Sequence, residues 1–162
     1  MIDRFDIVIH GKPHPKQRPR FGGGRAYSPK SNTENAKDIQ AQFMVQRTGN
    51  EPLTGALYAR ISYYMPKPKS KCRVNSNPFP YADTKPDLDN MLKQTLDSLN
   101  GLMFIDDSQI VSVVTNKMWA SPDDERTVIT IGRICEDNYD DMKQGAIYMI
   151  DDICAEAQYA SV

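Results

Sequence analysis

The stretch that most restricts how this chain can fold is a short helix written between two stops. Leu88, Met91, Leu92, Thr95, Leu96 and Leu99 form an apolar stripe at 3.6-residue spacing. Pro86 closes off what precedes it, because the residue before a proline avoids the α region. Gly101 stands where a left-handed residue belongs after a helix end. Strands are expected on both sides. Residues 56–65 alternate, with Leu57, Ala59, Ile61 and Tyr63 on one face and Tyr58, Arg60, Ser62 and Tyr64 on the other. Residues 109–119 carry Ile110, Val111, Val113 and Val114. Ser121-Pro-Asp-Asp124 reads as a turn into a strand at 126–134, and the short connection predicts an antiparallel hairpin.

Phe5-Asp-Ile-Val-Ile9 reads as a first strand. A helix capped by Ser31 or Thr33 is expected to run to about Arg47, with Ala36, Ile39, Phe43 and Met44 inward and Gly49 ending it. Residues 138–160 read as a final acidic helix, with Met142, Ile147, Ile150, Ile153 and Cys154 inward. At 162 residues one domain is the default, with residues 135–162 as an acidic helical extension of it. No apolar run approaches the roughly 20 residues that span a bilayer, and the charged N-terminus does not read as a signal peptide. Cys72, Cys135 and Cys154 are odd in number and widely spaced. Reduced thiols in a cytoplasmic protein, bacterial or phage-encoded, are the expectation.

The net charge of −1 conceals an asymmetry. Residues 1–80 carry 14 Lys/Arg against 5 Asp/Glu, and residues 81–162 carry 6 against 16. A basic half suits a polyanion and an acidic half suits a metal, although halves that interleave would simply neutralise each other. Lys12, Lys16, Arg18, Arg20, Arg25 and Lys30, with Phe21 and Tyr27, lie in a proline- and glycine-rich segment that reads as a phosphate-gripping arm or as a solvated loop. Lys67, Lys69, Lys71 and Arg73 form a second basic loop.

The acids cluster in Lys85-Pro-Asp-Leu-Asp-Asn-Met-Leu-Lys93 and the pair Asp106-Asp107. Asp87 is a natural N-cap and Asp89 complements the helix dipole, which together account for one acid well and two less well. With two more acids beyond the helix, the group exceeds what capping needs. Carboxylates gathered this way usually hold a hard cation, and Mg²⁺ is the usual choice, because it takes oxygen ligands and accepts phosphate as another. Leu102-Met-Phe-Ile105 is expected to lead the chain back toward the acidic site. Lys93 lies one turn after Asp89, where it forms an i,i+4 ion pair or contacts a phosphate near the metal. Asp97 reads as a surface or lysine-orienting residue. These residues point to a metal-dependent enzyme acting on nucleic acid.

The combination of Lys85-Pro-Asp-Leu-Asp-Asn-Met-Leu-Lys93, Leu96-Asp-Ser-Leu-Asn-Gly101 and Ile105-Asp-Asp-Ser-Gln-Ile-Val111 resembles the RusA family of Holliday-junction resolvases. The opening Gly11-Lys-Pro-His-Pro-Lys-Gln-Arg-Pro-Arg20 is similar to the basic leader of phage and Gram-positive members. The resemblance covers about residues 5–133. It implies an α/β (α+β) protein with a small mixed sheet flanked by helices. It implies a homodimer that binds four-way DNA and makes paired, symmetric cuts with Mg²⁺ or Mn²⁺, without a small-molecule cofactor or membrane. It places the catalytic acids at Asp87, Asp89 and Asp107, the catalytic lysine at Lys93, and a less essential acid, a further candidate metal ligand, at Asp106.

Other features carry less. Gly22-Gly-Gly-Arg25 lacks the spacing of a phosphate loop. His10 and His14, without a cysteine pair, suggest no zinc. Trp119 reads as core or interface. The rival readings are another Mg²⁺-dependent phosphotransferase and a DNA-binding protein of this fold that has lost cutting.

Overall fold

The computed structural model of the chain describes residues 4–49, 51–67, 81–121 and 123–135. In chain order these form β1 (Arg4–His10), β2 (Arg20–Gly22), β3 (Arg25–Tyr27), α1 (Lys30–Gln46), β4 (Leu57–Met65), α2 (Leu88–Leu99), β5 (Ile110–Trp119) and β6 (Arg126–Arg133), with a 3-10 turn at Asp107–Gln109 leading into β5. The fold is α+β. Four strands make one mixed sheet in the order β1-β6-β4-β5, and β2 with β3 makes a separate hairpin. β6 pairs antiparallel with both β1 and β4, and β4 pairs parallel with β5.

The alternation expected in β4 holds. Leu57, Ala59, Ile61 and Tyr63 are buried and meet Ile129 and Ile131 of β6, Phe5, Ile7 and Ile9 of β1, Phe43 of α1, and Met91 and Leu99 of α2 in a single core. Phe5 and Phe43 pack edge to face with centroids 5.7 Å apart. The stripe of α2 is inward as its spacing predicts: Met91, Thr95 and Leu99 are buried, while Leu88, Leu92 and Leu96 pack partly buried against the core. Gly101 has φ of +76°, the left-handed conformation expected after the helix.

Three expectations change. β5 and β6 do not form a hairpin, because β4 lies between them and pairs with both. The strand buried along its whole apolar face takes the centre, and the short 120–125 connection passes the end of β4, where Ala120 N–H donates to the Met65 carbonyl at 2.7 Å. α1 starts at Lys30 behind Pro29, with no side-chain cap, so Ser31 and Thr33 lie inside it. Met44 is 53% exposed. The basic leader contains only the short β2–β3 hairpin, turned by Gly23 and Gly24 at φ of +60° and +76°. The expected helix at 138–160, Cys72 and Cys154 lie outside the described residues, as do Lys69, Lys71 and Arg73.

Candidate active site

Parallel strands require a crossover, and α2 is the one that joins β4 to β5. It runs back along the sheet, so it starts beside the strand ends and finishes beside the strand starts. Asp87 occupies the N-cap position with extended backbone angles, yet its side chain makes no cap hydrogen bond. Asp87, Asp89 and Lys93 are all exposed, and among the described residues no ion pair joins Asp89 to Lys93. Asp89, in the first turn, complements the helix dipole, but among the described residues neither a cap by Asp87 nor an Asp89–Lys93 ion pair is formed. What remains is an anionic pair at the positive end of a helix with a cation one turn along.

The second acidic group is built differently. Asp106 Oδ1 accepts from Ser108 N–H at 2.8 Å, while Gln109 Oε1 accepts from the N–H groups of Asp106 at 3.0 Å and Ile105 at 2.9 Å. This is a reciprocal capping box around the 3-10 turn. Hydrogen bonding from Ser108, first by its side chain and then by its backbone, holds the Asp106 carboxyl below the usual carboxylate range. Gln109 Nε2 then donates to the carbonyls of Leu53 at 3.3 Å and Gly55 at 3.1 Å, fixing the turn beside the start of β4. Asp107 opens the turn and is exposed.

The two acidic groups do not meet within one chain. α2 has 12 residues, which at 1.5 Å per residue makes it about 18 Å long. At its far end the chain does not turn back as expected. Met103 and Phe104 are fully buried, Leu53 N–H donates to the Met103 carbonyl at 2.8 Å, and Phe104 bridges Leu53. The apolar pair enters the core beneath the start of β4 and takes Asp106 and Asp107 with it. Among the described residues no three His, Cys, Asp or Glu side chains stand close enough to hold one metal ion. Asp87 and Asp89 form one half of a site, and Asp107 lies at the opposite end of the sheet.

The basic leader is partly tied down. Lys16 N–H donates to the Asn90 carbonyl at 2.8 Å, and its ammonium pairs with Asp97, so the lysine that Asp97 engages is Lys16 of the leader rather than Lys93 of its own helix face, and Lys16 is held against α2. Asn32, only 6% exposed, exchanges hydrogen bonds with the Gln17 backbone at 2.8 and 2.9 Å. Gln94 Nε2 reaches the Asn32 carbonyl at 3.0 Å. Beyond this clamp Arg20 and Arg25 on the β2–β3 hairpin, and Arg18 and Lys30 on either side of it, are exposed, with Phe21 86% exposed and Tyr27 also exposed. Lys12 and Lys67 are exposed elsewhere. A small pocket between β1, the leader and α1 takes in His10, His14, Asp38, Tyr63 and Thr95. Burial, aided by Lys12, lowers the His14 pKa, and burial raises that of the Tyr63 hydroxyl, which bonds Thr95 Oγ1 at 3.0 Å. The residues that sequence reasoning missed are Asn32, Gln94, Gln109 and Lys117. All are polar side chains that hold backbone in place, and long polar residues inside elements were the available signal.

A family model described as endodeoxyribonuclease RusA matches residues 10–132, which include every acid, lysine and hairpin residue described above. The chain belongs to the RusA family. It is therefore of an endodeoxyribonuclease family associated with Holliday junctions. It is also 27% identical over 128 residues to an uncharacterized protein, YqaN, of Bacillus subtilis (strain 168), covering 74% of this chain and 90% of that one. No helix among the described residues is long and apolar enough to cross a membrane.

Proposed function

We propose that this chain is a Mg²⁺-dependent endonuclease that resolves four-way DNA junctions as a homodimer, with each active site assembled from two copies. The observation that carries the proposal is the state of Asp87, Asp89 and Lys93. They stand together and exposed at one helix start, none committed to capping or to an ion pair between them, in a chain of the RusA family. Two carboxylates plus a substrate phosphate make a common Mg²⁺ set. Asp87 and Asp89 supply it, and Lys93 faces the charge that builds on the phosphate. Mg²⁺ when bound polarises that phosphate and acidifies water.

The separation of Asp107 from this pair supports the dimer. Among the described residues β5 is the outermost strand of the sheet, with residues 81–82 paired against its end. Near its free end stand Ile105, Val111 and Val113, respectively 58%, 65% and 40% exposed, and such an edge favours pairing with another strand. A two-fold axis through β5 would set two copies antiparallel, an isologous contact. Pairing along the part of β5 before Lys117, whose outer edge residues 81–82 do not take, would then bring the Asp107 turn of one copy toward the Asp87 end of the second. Two sites related by a two-fold axis suit paired cuts on a near-symmetric junction.

The test is cleavage of a synthetic four-way junction by purified protein with and without Mg²⁺. Paired cuts that need Mg²⁺ and are lost in Asp89→Asn are expected. Tight junction binding without cleavage under any divalent ion would contradict the proposal.

A further inference from the structure

The segment carrying Asp87 is fastened to β5 in two ways. Its first part pairs through the backbone: Tyr81 bridges Met118, and Ala82 N–H donates to the Lys117 carbonyl at 2.8 Å. Its second part, which leads directly into Asp87, is held by the Lys117 side chain. The Lys117 ammonium donates to the Thr84 carbonyl and, at 2.6 Å, to the Pro86 carbonyl. Lys117 is half-buried, and among the described residues no carboxylate pairs with it. A lysine placed this way is unusual, because a buried cation is ordinarily given an anion. Here it is given backbone oxygens immediately before two exposed carboxylates.

We infer that Lys117 is a positioning residue for the metal-binding end of α2, fixing the backbone from which Asp87 projects and adding positive charge beside it. The inference rests on the reading of Asp87 and Asp89 as metal ligands. It also gives β5 a specific part in the site. The strand holds one acidic group through Lys117 near its end and the other through Gln109 just before its start. Because the 81–82 pairing does not involve the Lys117 side chain, removing that side chain should loosen residues 84–87 and leave the segment docked.

The experiment is junction cleavage by the full chain over a range of Mn²⁺ concentrations, with junction binding and thermal unfolding measured alongside. Lys117→Met keeps the alkyl stem and removes the donors. It is expected to raise the half-saturating Mn²⁺ concentration about tenfold, as loss of an outer support does at metal sites, with junction affinity unchanged. Lys117→Arg, which restores donors and charge, is expected to fall between the two. A purely structural lysine would lower the melting temperature and leave the Mn²⁺ midpoint where it is, and that result overturns the inference. If Lys117→Met fails to fold, Lys117→Arg carries the test, with a wild-type midpoint counting against the inference. Asp87→Asn separates the two levels. If it is inactive while Lys117→Met matches wild type, the positioning role alone fails. If Asp87→Asn cuts normally, the ligand reading fails and takes this inference with it.

Discussion

The start of α2 and the turn at Asp107–Gln109 are both acidic, and they solve opposite problems. In the turn, Asp106 and Gln109 satisfy each other's backbone neighbours and anchor to the start of β4. At the helix start, Asp87 sits in a capping position without capping, and among the described residues no ion pair joins Asp89 to Lys93. One group holds its own fold together, and the other is held from outside, by Lys117. The lesson is that a carboxylate's availability for chemistry depends on whether its local hydrogen bonds already use it, which residue type and spacing alone do not reveal.

The largest effect that tests this contrast is Asp89→Asn. Losing a ligand should exceed the 10–100-fold loss typical of outer supports, so cleavage is expected to fall by more than about a hundredfold. Junction binding should be kept or tightened, since repulsion toward phosphate is reduced. Cleavage at the wild-type rate would erase the distinction between the two acidic groups.

The basic residues allow a parallel comparison. Arg18, Arg20 and Arg25 are exposed on and beside the hairpin, whereas Lys16 is engaged with Asp97. Junction affinity is expected to fall steeply with salt. Each of the three arginines replaced by alanine should reduce the slope of log affinity against log salt by about 1. Lys16→Ala should leave that slope nearly unchanged and lower thermal stability instead. Equal slopes for all four variants would show that the clamp on Lys16 opens on DNA.

Smaller effects belong to the turn. Gln109→Ala removes a side chain that meets two N–H groups and two carbonyls, and leaving such groups unsatisfied costs about 1–3 kcal/mol, read as a lower melting temperature. The smallest effect is a pH dependence. The folded Asp106 carboxyl has a pKa below its unfolded value because Ser108 bonds the charged form. Its stabilising contribution is present above the ordinary carboxylate pKa of about 3.9 and is lost as pH falls through the lowered folded value. The melting temperatures of wild type and Asp106→Ala should therefore converge in acid. A constant gap at every pH would remove Asp106 from the account.

Much of the scaffold is legible in the sequence because it depends on local periodicity. The faces of β4, the stripe of α2 and the role of Gly101 follow from spacing alone. The sheet order is not local. The 120–125 connection is short enough for a hairpin, and only the apolar content of β4 places it between β5 and β6. The separation of the acids was undetermined for a similar reason. Residues 100–105, fully extended, span about 20 Å, enough to return along α2. Whether they return depends on Met103 and Phe104, which enter the core at the far end. The acids and the lysine that the family resemblance singles out all fall within the matched region, but a linear motif does not say which of them stand together in space.

The direct test of a site shared between two copies is to mix two inactive variants, Asp89→Asn and Asp107→Asn, and allow subunits to exchange. In a shared site each mixed dimer carries both defects in one active centre and neither in the other. Mixing is expected to restore nicking of one strand per junction, without the paired cut. Two variants that are each inactive alone and stay inactive after proven exchange would contradict the account.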